Sequence, residues 1–227
     1  MSDSQTLKII ARIKSDFPTK FGIPRQSGLA PKLSAKIVFE HDFRSPEALT
    51  GLENFSHIWL IWGFSEAARE SWSPTVRPPR LGGNRKVGVF ATRSPFRPNS
   101  LALSAVKIEK IENGEIFISG ADLMDGTPIY DIKPYLPAVD AITSATDLFD
   151  KTAEKEPLEV VIPTEFTDKI PAEKLKALQE ILSLDPRPAY QNDSSRIYGF
   201  QFAGCEIKFK VEEKTLTVVS VRNKNSD

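Results

Sequence analysis

The stretch LALSAVKIEKIENGEIFIS, residues 101–119, places two segments rich in apolar and β-branched residues on either side of Asn113-Gly114. Short segments of this composition are typical of β-strands, and we predict strands over Leu101–Ile108 and Glu115–Ser119. An Asn-Gly pair between two strands is a strong hairpin signal, because both residues tolerate the positive φ of a tight turn. The stretch therefore predicts an antiparallel β-hairpin.

Five further short strands are predicted in the first two thirds of the chain. They are Leu7–Ile13, Ala35–Phe39, His57–Trp62, Val87–Ala91 and Ile129–Ile132. No long amphipathic helix alternates with these strands, which argues against a doubly wound parallel sheet and favours a barrel or a sandwich. One short helix is predicted over Pro46–Leu52, with Ser45 as its N-cap. The fold class that we predict is mainly β.

The last third of the chain has a different pattern. The polar, acidic stretch between Ala141 and Pro157 predicts a linker. After it we predict a strand, a helix with one apolar face, and three strands. Their ranges are Leu158–Ile162, Pro171–Leu182, Arg196–Phe202, Glu206–Val211 and Leu216–Val221. We therefore expect two domains, a larger one over residues 1–145 and a smaller α+β one over residues 157–227.

Composition restricts the class of protein. The chain has 227 residues, of which 40% are hydrophobic, so it can bury a core without disulfides or a bound metal ion. The single cysteine, Cys205, excludes an internal disulfide, and one cysteine with two histidines argues against a zinc site. The first residues lack the pattern of a signal peptide, and the most apolar segment, Ile58–Phe64, is too short to cross a bilayer. We expect a cytoplasmic protein that binds neither metal nor membrane.

Basic residues concentrate in one region although the total charge is balanced, with 30 Lys and Arg against 30 Asp and Glu. Residues 71–100 contain no Asp or Glu, and their prolines hold several arginines on a stiff loop. Such a patch suits phosphate, and the candidate RNA-binding residues are Arg80, Arg85, Lys86 and Arg97. The alternative at this point is a solvated basic loop.

Three other stretches carry polar groups suited to a binding site. Proline and glycine fix a loop at 21–28 that presents Arg25 and Gln26, although an ordinary turn would look the same. His57 begins an apolar strand, where a histidine is more often structural than catalytic. Residues 120–131 form an acidic turn with Asp122 and Asp125, which suits either a hairpin turn or an acceptor for ribose or amine groups.

The motifs in this order resemble the TsaA-like family, also called TrmO or YaeB. The resemblance covers roughly the first 145 residues and is carried by GIPRQSGLAP at 22–31, FSHIWLIWGF at 55–64, PPRLGGNRKVGVFATRSPFRPNSLALS at 78–104 and DLMDGTPIYDIKPYLP at 122–137. The tail DPRPAY at 185–190 is similar to the family's bacterial C-terminal domain. The resemblance implies a small β-barrel that uses S-adenosylmethionine to methylate N6 of threonylcarbamoyladenosine at position 37, in the anticodon loop of tRNA.

The resemblance also implies that the cofactor is bound outside any Rossmann fold and that the chain forms a homodimer with the site near the subunit interface. Carried over by motif, the implied cofactor-binding residues are Pro24, Arg25, Gln26, His57, Ile58, Arg93, Leu103, Asp122, Leu123, Met124 and Asp125. The catalytic candidates are Asp122, Asp125 and Tyr130, which would hold the weakly nucleophilic adenine N6 through a hydrogen bond.

Two interpretations remain open on the residues alone. A small barrel with a basic loop also suits a non-catalytic RNA- or nucleotide-binding module. Binding of S-adenosylmethionine without RNA distinguishes the enzyme from that module. We further expect the C-terminal domain to assist tRNA binding, so that a chain ending near Ala145 keeps cofactor affinity and loses tRNA affinity.

Overall fold

The computed structural model describes residues 5–64, 66, 72–78, 85–146, 156–188, 191 and 193–223. The strands and the short helix of the first 140 residues are β1 (Ala11–Lys14), β2 (Ser34–Phe39), β3 (His57–Gly63), β4 (Thr75–Val76), β5 (Val87–Gly88), β6 (Leu101–Glu112), β7 (Glu115–Ser119), β8 (Pro128–Pro134) and α1 (Pro137–Asp140). The elements that follow are β9 (Glu159–Val161), α2 (Thr164–Thr167), α3 (Ala172–Ser183), β10 (Tyr198–Phe202), β11 (Cys205–Glu212) and β12 (Thr215–Asn223).

Six strands close into an antiparallel barrel in the order β1-β2-β7-β6-β3-β8. The residues alternate between the two faces of each strand, so that Ile58, Leu60 and Trp62 of β3 point into the core while Trp59 and Ile61 point outward. The interior is filled by apolar side chains, most of them aliphatic, as a small barrel requires. The predicted mainly β fold with a small barrel is confirmed.

The hairpin between β6 and β7 is confirmed, with Asn113 at φ 54° and Gly114 at φ 73°. Two local predictions are wrong. Only Val87–Gly88 of the predicted strand Val87–Ala91 is extended, because the Thr92 N–H donates to the Val89 carbonyl at 3.1 Å and closes a 3₁₀ turn over Val89–Ala91, which the Thr92 hydroxyl reinforces by donating to the same carbonyl. The predicted helix Pro46–Leu52 is two 3₁₀ turns separated by Gly51, whose φ of 88° interrupts any helix.

The C-terminal elements form a four-stranded sheet in the order β10-β11-β12-β9, with β9 parallel to β12. The apolar face of α3 packs on this sheet through Leu178, Ile181 and Leu182, as the sequence pattern predicts. Phe17 and Leu33, which flank the loop between β1 and β2, are buried in this same core. The second core is therefore shared between the C-terminal unit and a loop of the barrel.

Residues 147–155, most of the predicted linker, lie outside the described residues, as does Arg80. Within the described ranges, no helix has both the length and the apolar character needed to cross a membrane.

Candidate active site

A cavity of 1150 Å³ opens at the side of the barrel. Among the described residues, four segments form its wall: the loop between β1 and β2, strand β3 with the residues just after it, the loop preceding β6 with the start of β6, and the turn after β7. The structure brings seven of the eleven candidate cofactor residues to this wall: Pro24, Arg25, Gln26, Arg93, Leu103, Asp122 and Met124. Motifs nearly a hundred residues apart in sequence therefore meet at one cavity.

Hydrogen bonds join the first and third motifs at this wall. Arg93 Nη1 donates to Gln26 Oε1, and Gln26 Nε2 donates to the carbonyl of Arg25 at 2.6 Å. The Gly28 N–H donates to the Gly120 carbonyl at 2.8 Å, which joins the first motif to the segment before Asp122. The amide of Gln26 is thereby oriented, and both arginine side chains remain largely exposed on the wall.

Asp122 is the polar centre of the cavity. Its Oδ1 accepts a hydrogen bond from Ser104 Oγ at 2.6 Å, and Ser104 Oγ in turn accepts one from Trp62 Nε1 at 2.9 Å. Burial raises the pKa of Asp122, while the hydrogen bonds from Ser104 and from the Ser27 backbone and the charge of Arg93 oppose that rise. A carboxylate with a raised pKa on a cavity wall is a better proton acceptor than a solvated one.

The sequence interpretation missed Ser104 and Trp62. Ser104 is 1% exposed and lies on the inward face of β6 beside Val106, where the alternation predicts an apolar residue. A polar residue at an inward position of a barrel strand is the signal that identifies it, since such a hydroxyl needs a buried partner. The outward face of the same strand carries the apolar residues Leu101 and Leu103, whereas the outward face of a solvent-exposed strand usually carries polar residues.

The loop that carries Arg93 is stiffened by its own hydroxyl groups. Thr92 Oγ1 accepts from the Ser94 N–H, and Ser100 Oγ donates to the Pro95 carbonyl at 2.9 Å. Arg97 Nη1 donates to the Thr92 carbonyl at 3.0 Å. This candidate RNA-binding residue therefore stabilises the loop, and it also lines the cavity. The other described candidates for RNA contact, Arg85 and Lys86, are exposed.

Five of the cofactor-binding and catalytic candidates are absent from the described part of the cavity wall. Ile58 and Leu123 are buried in the barrel core, and His57 is exposed beside Ser56 at the start of β3. Asp125 accepts from the Ser15 N–H at 3.0 Å and pairs with Lys14 at 3.7 Å, and the hydroxyl of Tyr130 packs over Gly63. Of the three catalytic candidates, Asp122 alone lines this part of the wall.

The composition of the wall suits a ligand that is part nucleoside and part amino acid. Two guanidinium groups can hold a carboxylate, Asp122 can accept hydrogen bonds from an amine or a hydroxyl, and Trp59, Phe64 and other aromatic residues provide apolar surface. The volume lies just above the range of about 300–1,000 Å³ that is usual for a small-molecule pocket. Among the described residues, no group of three or more His, Cys, Asp or Glu is arranged to hold a metal ion.

Comparisons with known proteins identify what this chain is similar to. Residues 12–141 match the model of the tRNA-methyltransferase O N-terminal domain, and residues 155–224 match that of the TrmO C-terminal domain. A tRNA (adenine(37)-N6)-methyltransferase of Eikenella corrodens is 45% identical over 172 residues, which cover 74% of this chain and 97% of that protein.

A second relative and a solved structure agree with these matches. A protein of Pseudomonas aeruginosa named as a putative S-adenosylmethionine-dependent methyltransferase is 40% identical over 208 residues, covering 87% of this chain and 89% of that protein. The crystal structure of TrmO from P. aeruginosa matches with a TM-score of 0.80 at 31% identity, over 98% of this chain and 99% of that one.

Proposed function

This chain belongs to the tRNA-methyltransferase O family, and we propose that it methylates N6 of threonylcarbamoyladenosine at position 37 of tRNA with S-adenosylmethionine as methyl donor. The observation that carries this proposal is Asp122, a carboxylate of raised pKa that Ser104 holds on the wall of the cavity. An anticodon loop is single stranded, so its bases can be turned out toward such a cavity.

The cavity residues fit the proposed cofactor by the chemistry of their side chains. Arg25 and Arg93 suit the cofactor's carboxylate, and Gln26 between them offers an oriented amide. When bound, S-adenosylmethionine would supply an electrophilic methyl group carried on a sulfonium. Since the cofactor carries the reactive group, the protein mainly has to orient and dehydrate the two reactants.

We assign Asp122 as the residue that acts on adenine N6. Adenine N6 is a weak nucleophile because its lone pair conjugates with the ring, and it must lose a proton as the N–CH₃ bond forms, with the electron pair of the N–H bond staying on nitrogen. The Asp122 carboxylate accepts this proton, and Ser104 orients the carboxylate for the task. Asp125 and Tyr130 stay secondary candidates, since their polar atoms contact Ser15 and Gly63.

The RNA surface that we propose adjoins the cavity. Arg85 and Lys86 are exposed and can contact phosphates, while Arg97 lies on the cavity wall. The rings of Trp72 and Phe90 lie 6.0 Å apart and are 49% and 72% exposed, which suits stacking of unpaired bases. We further propose that the unit over residues 157–227 assists tRNA binding by the barrel unit over residues 1–145, and that the chain acts in the cytoplasm, where tRNA is found.

A homodimer is also part of the proposal. Leu136, Val139 and Ile142 are large apolar residues that are 44%, 70% and 68% exposed. The neighbouring Trp59, on the outward face of β3, donates to Asp140 at 2.9 Å and extends this apolar surface toward the cavity. Exposed apolar residues close together in sequence are typical of a protein interface. Their exposure, and the contact of Asp140 with the cavity residue Trp59, support a dimer interface beside the site.

To test the enzymatic function, the purified chain is titrated with S-adenosylmethionine in the absence of RNA and cofactor binding is measured. We expect saturable binding with one site per chain, and weaker binding by Arg93→Ala. The second candidate function is a non-catalytic RNA-binding module. Such a module would bind tRNA but would show no binding of S-adenosylmethionine in this titration.

A further inference from the structure

The loop between β1 and β2 belongs to both parts of the molecule. Its residues 24–27 form part of the cavity wall, whereas Phe17 near its start is fully buried in the C-terminal core. The Phe17 ring lies 5.3 Å from that of Phe202 and 6.4 Å from that of Phe200, both on β10. The segment that supplies Arg25 and Gln26 to the barrel site is therefore anchored in the other unit.

Lys174 joins the two ends of this loop. From α3, its Nζ donates to Asp16 Oδ2 at 2.7 Å and to Ser34 Oγ at 3.0 Å. The side chains of Lys174 and Asp16 are only 21% and 17% exposed, so water screens this ion pair less than a surface pair. One ammonium group thus fixes the positions where the loop leaves β1 and enters β2.

Two further backbone contacts hold the ends of the loop to the C-terminal unit. The Ala203 N–H donates to the Asp16 carbonyl at 3.0 Å, and the Lys32 N–H donates to Glu180 Oε2 at 2.8 Å. Together with Lys174, these bonds attach both ends of the loop to α3 and to the β10–β11 turn.

The middle of the loop is held as well. Gly22 has a φ of 90°, and a Cβ at this position would lie 2.5 Å from the ring of Phe200. Arg25 Nη2 donates to the Arg187 carbonyl at 3.4 Å, which links a cavity residue directly to the C-terminal unit. Beyond these contacts the loop meets the site, where Gln26 accepts from Arg93.

We propose that the C-terminal unit positions the cofactor-binding loop, and that Lys174 is the positioning residue at its base. The inference rests on the proposed function, since it assumes that residues 24–27 bind the cofactor. It replaces the expectation from sequence that a chain ending near Ala145 keeps its cofactor affinity, because that chain loses Lys174 and exposes Phe17. A loop already fixed in its binding conformation loses less entropy when the ligand binds.

The experiment compares the full chain with Lys174→Met, which keeps the aliphatic stem and removes the charge. The matched control is Lys210→Met, whose ammonium pairs with Glu212 at 2.7 Å on the exposed face of β11. Each protein is titrated with S-adenosylmethionine without RNA, and amide hydrogen exchange of residues 20–29 is measured without cofactor. We expect Lys174→Met to raise the cofactor Kd roughly tenfold and to speed exchange in this loop, with Lys174→Arg restoring most of both. Lys210→Met should leave both unchanged.

Equal cofactor Kd and equal loop exchange in Lys174→Met and the unmodified chain would overturn the inference while leaving the proposed function intact. If the unmodified chain does not bind S-adenosylmethionine, the proposed function fails, and loop exchange still tests whether Lys174 fixes the loop. Asp16→Asn is the second variant should Lys174→Met not fold. It keeps the shape of the side chain and removes the charge, and unchanged exchange in it also counts against the inference.

Discussion

Removing the Ser104 hydroxyl tests the assignment of Asp122 more sharply than removing Asp122 itself. Ser104→Ala deletes one oxygen that donates to Asp122 and accepts from Trp62 Nε1. Trp62 is 6% exposed, so its N–H loses its partner inside the protein. Leaving a buried donor unpaired costs about 1–3 kcal/mol, and we expect the free energy of unfolding to fall by about this amount.

The same substitution changes the titration of Asp122 in a defined direction. The Ser104 hydrogen bond lowers the pKa of Asp122 against the effect of burial, so its loss raises that pKa further. A carboxyl whose pKa is higher in the folded state than in the unfolded state stabilises the fold at low pH and loses that contribution as the pH rises through the folded value. The stability deficit of Ser104→Ala should therefore grow from acid to neutral pH, and the acidic limb of methylation activity should move to higher pH.

The assay is kcat/KM for tRNA against pH, together with denaturant unfolding at two pH values. Ser119→Ala is the matched control, because Ser119 Oγ also donates to a carboxylate, Glu109 Oε1, at 2.6 Å, yet neither residue is among the described lining of the cavity. This control should leave the acidic limb in place. An unshifted acidic limb in Ser104→Ala would refute the role of Asp122 as the acceptor for N6.

Three other predictions follow from the site and its surroundings. Asp122→Asn keeps an oxygen that accepts from Ser104 but removes the base. The rate of single-turnover methylation should therefore fall by roughly 10²-fold or more, while the free energy of unfolding at pH 8 is unchanged or higher. A near-normal rate would contradict the assignment of Asp122 as the base. Arg85→Ala with Lys86→Ala should reduce the slope of log K for tRNA against log salt by roughly 0.7 for each phosphate that the protein no longer neutralises, with unchanged cofactor affinity; an unchanged slope means that the loop is merely solvated. Val139→Glu should convert a dimer into a monomer in light scattering at micromolar concentration, and a monomeric unmodified chain would disprove the proposed interface.

The strands and the α3 helix are predictable because their signals are local. Asn113-Gly114 fixes the β6–β7 hairpin whatever surrounds it, and the apolar spacing around Leu178 fixes the buried face of α3. The local signal fails at two loop positions. The N–H and hydroxyl of Thr92 both donate to the Val89 carbonyl and close a 3₁₀ turn, and Gly51 interrupts the predicted helix with its positive φ.

The site is only partly predictable because its polar contacts depend on how distant segments pair. Motif resemblance finds Arg93 and Asp122, but the bond from Ser104 to Asp122 and the burial that raises the pKa of Asp122 follow from closure of the barrel. The contact between Lys174 and Asp16 joins residues 158 positions apart, and no local pattern indicates it. Sequence therefore identifies the motifs, and tertiary structure assigns the partners that orient them.

The proposed methylation of threonylcarbamoyladenosine can be measured by methyl transfer to two forms of one tRNA. The purified chain is incubated with labelled S-adenosylmethionine and tRNA that either carries threonylcarbamoyladenosine at position 37 or has unmodified adenosine there. Nucleosides from the digested tRNA are then separated by mass spectrometry. We predict one added methyl group on N6 of threonylcarbamoyladenosine and none on the unmodified tRNA. Equal labelling of both tRNAs would contradict the substrate, and labelling of neither would contradict the enzyme.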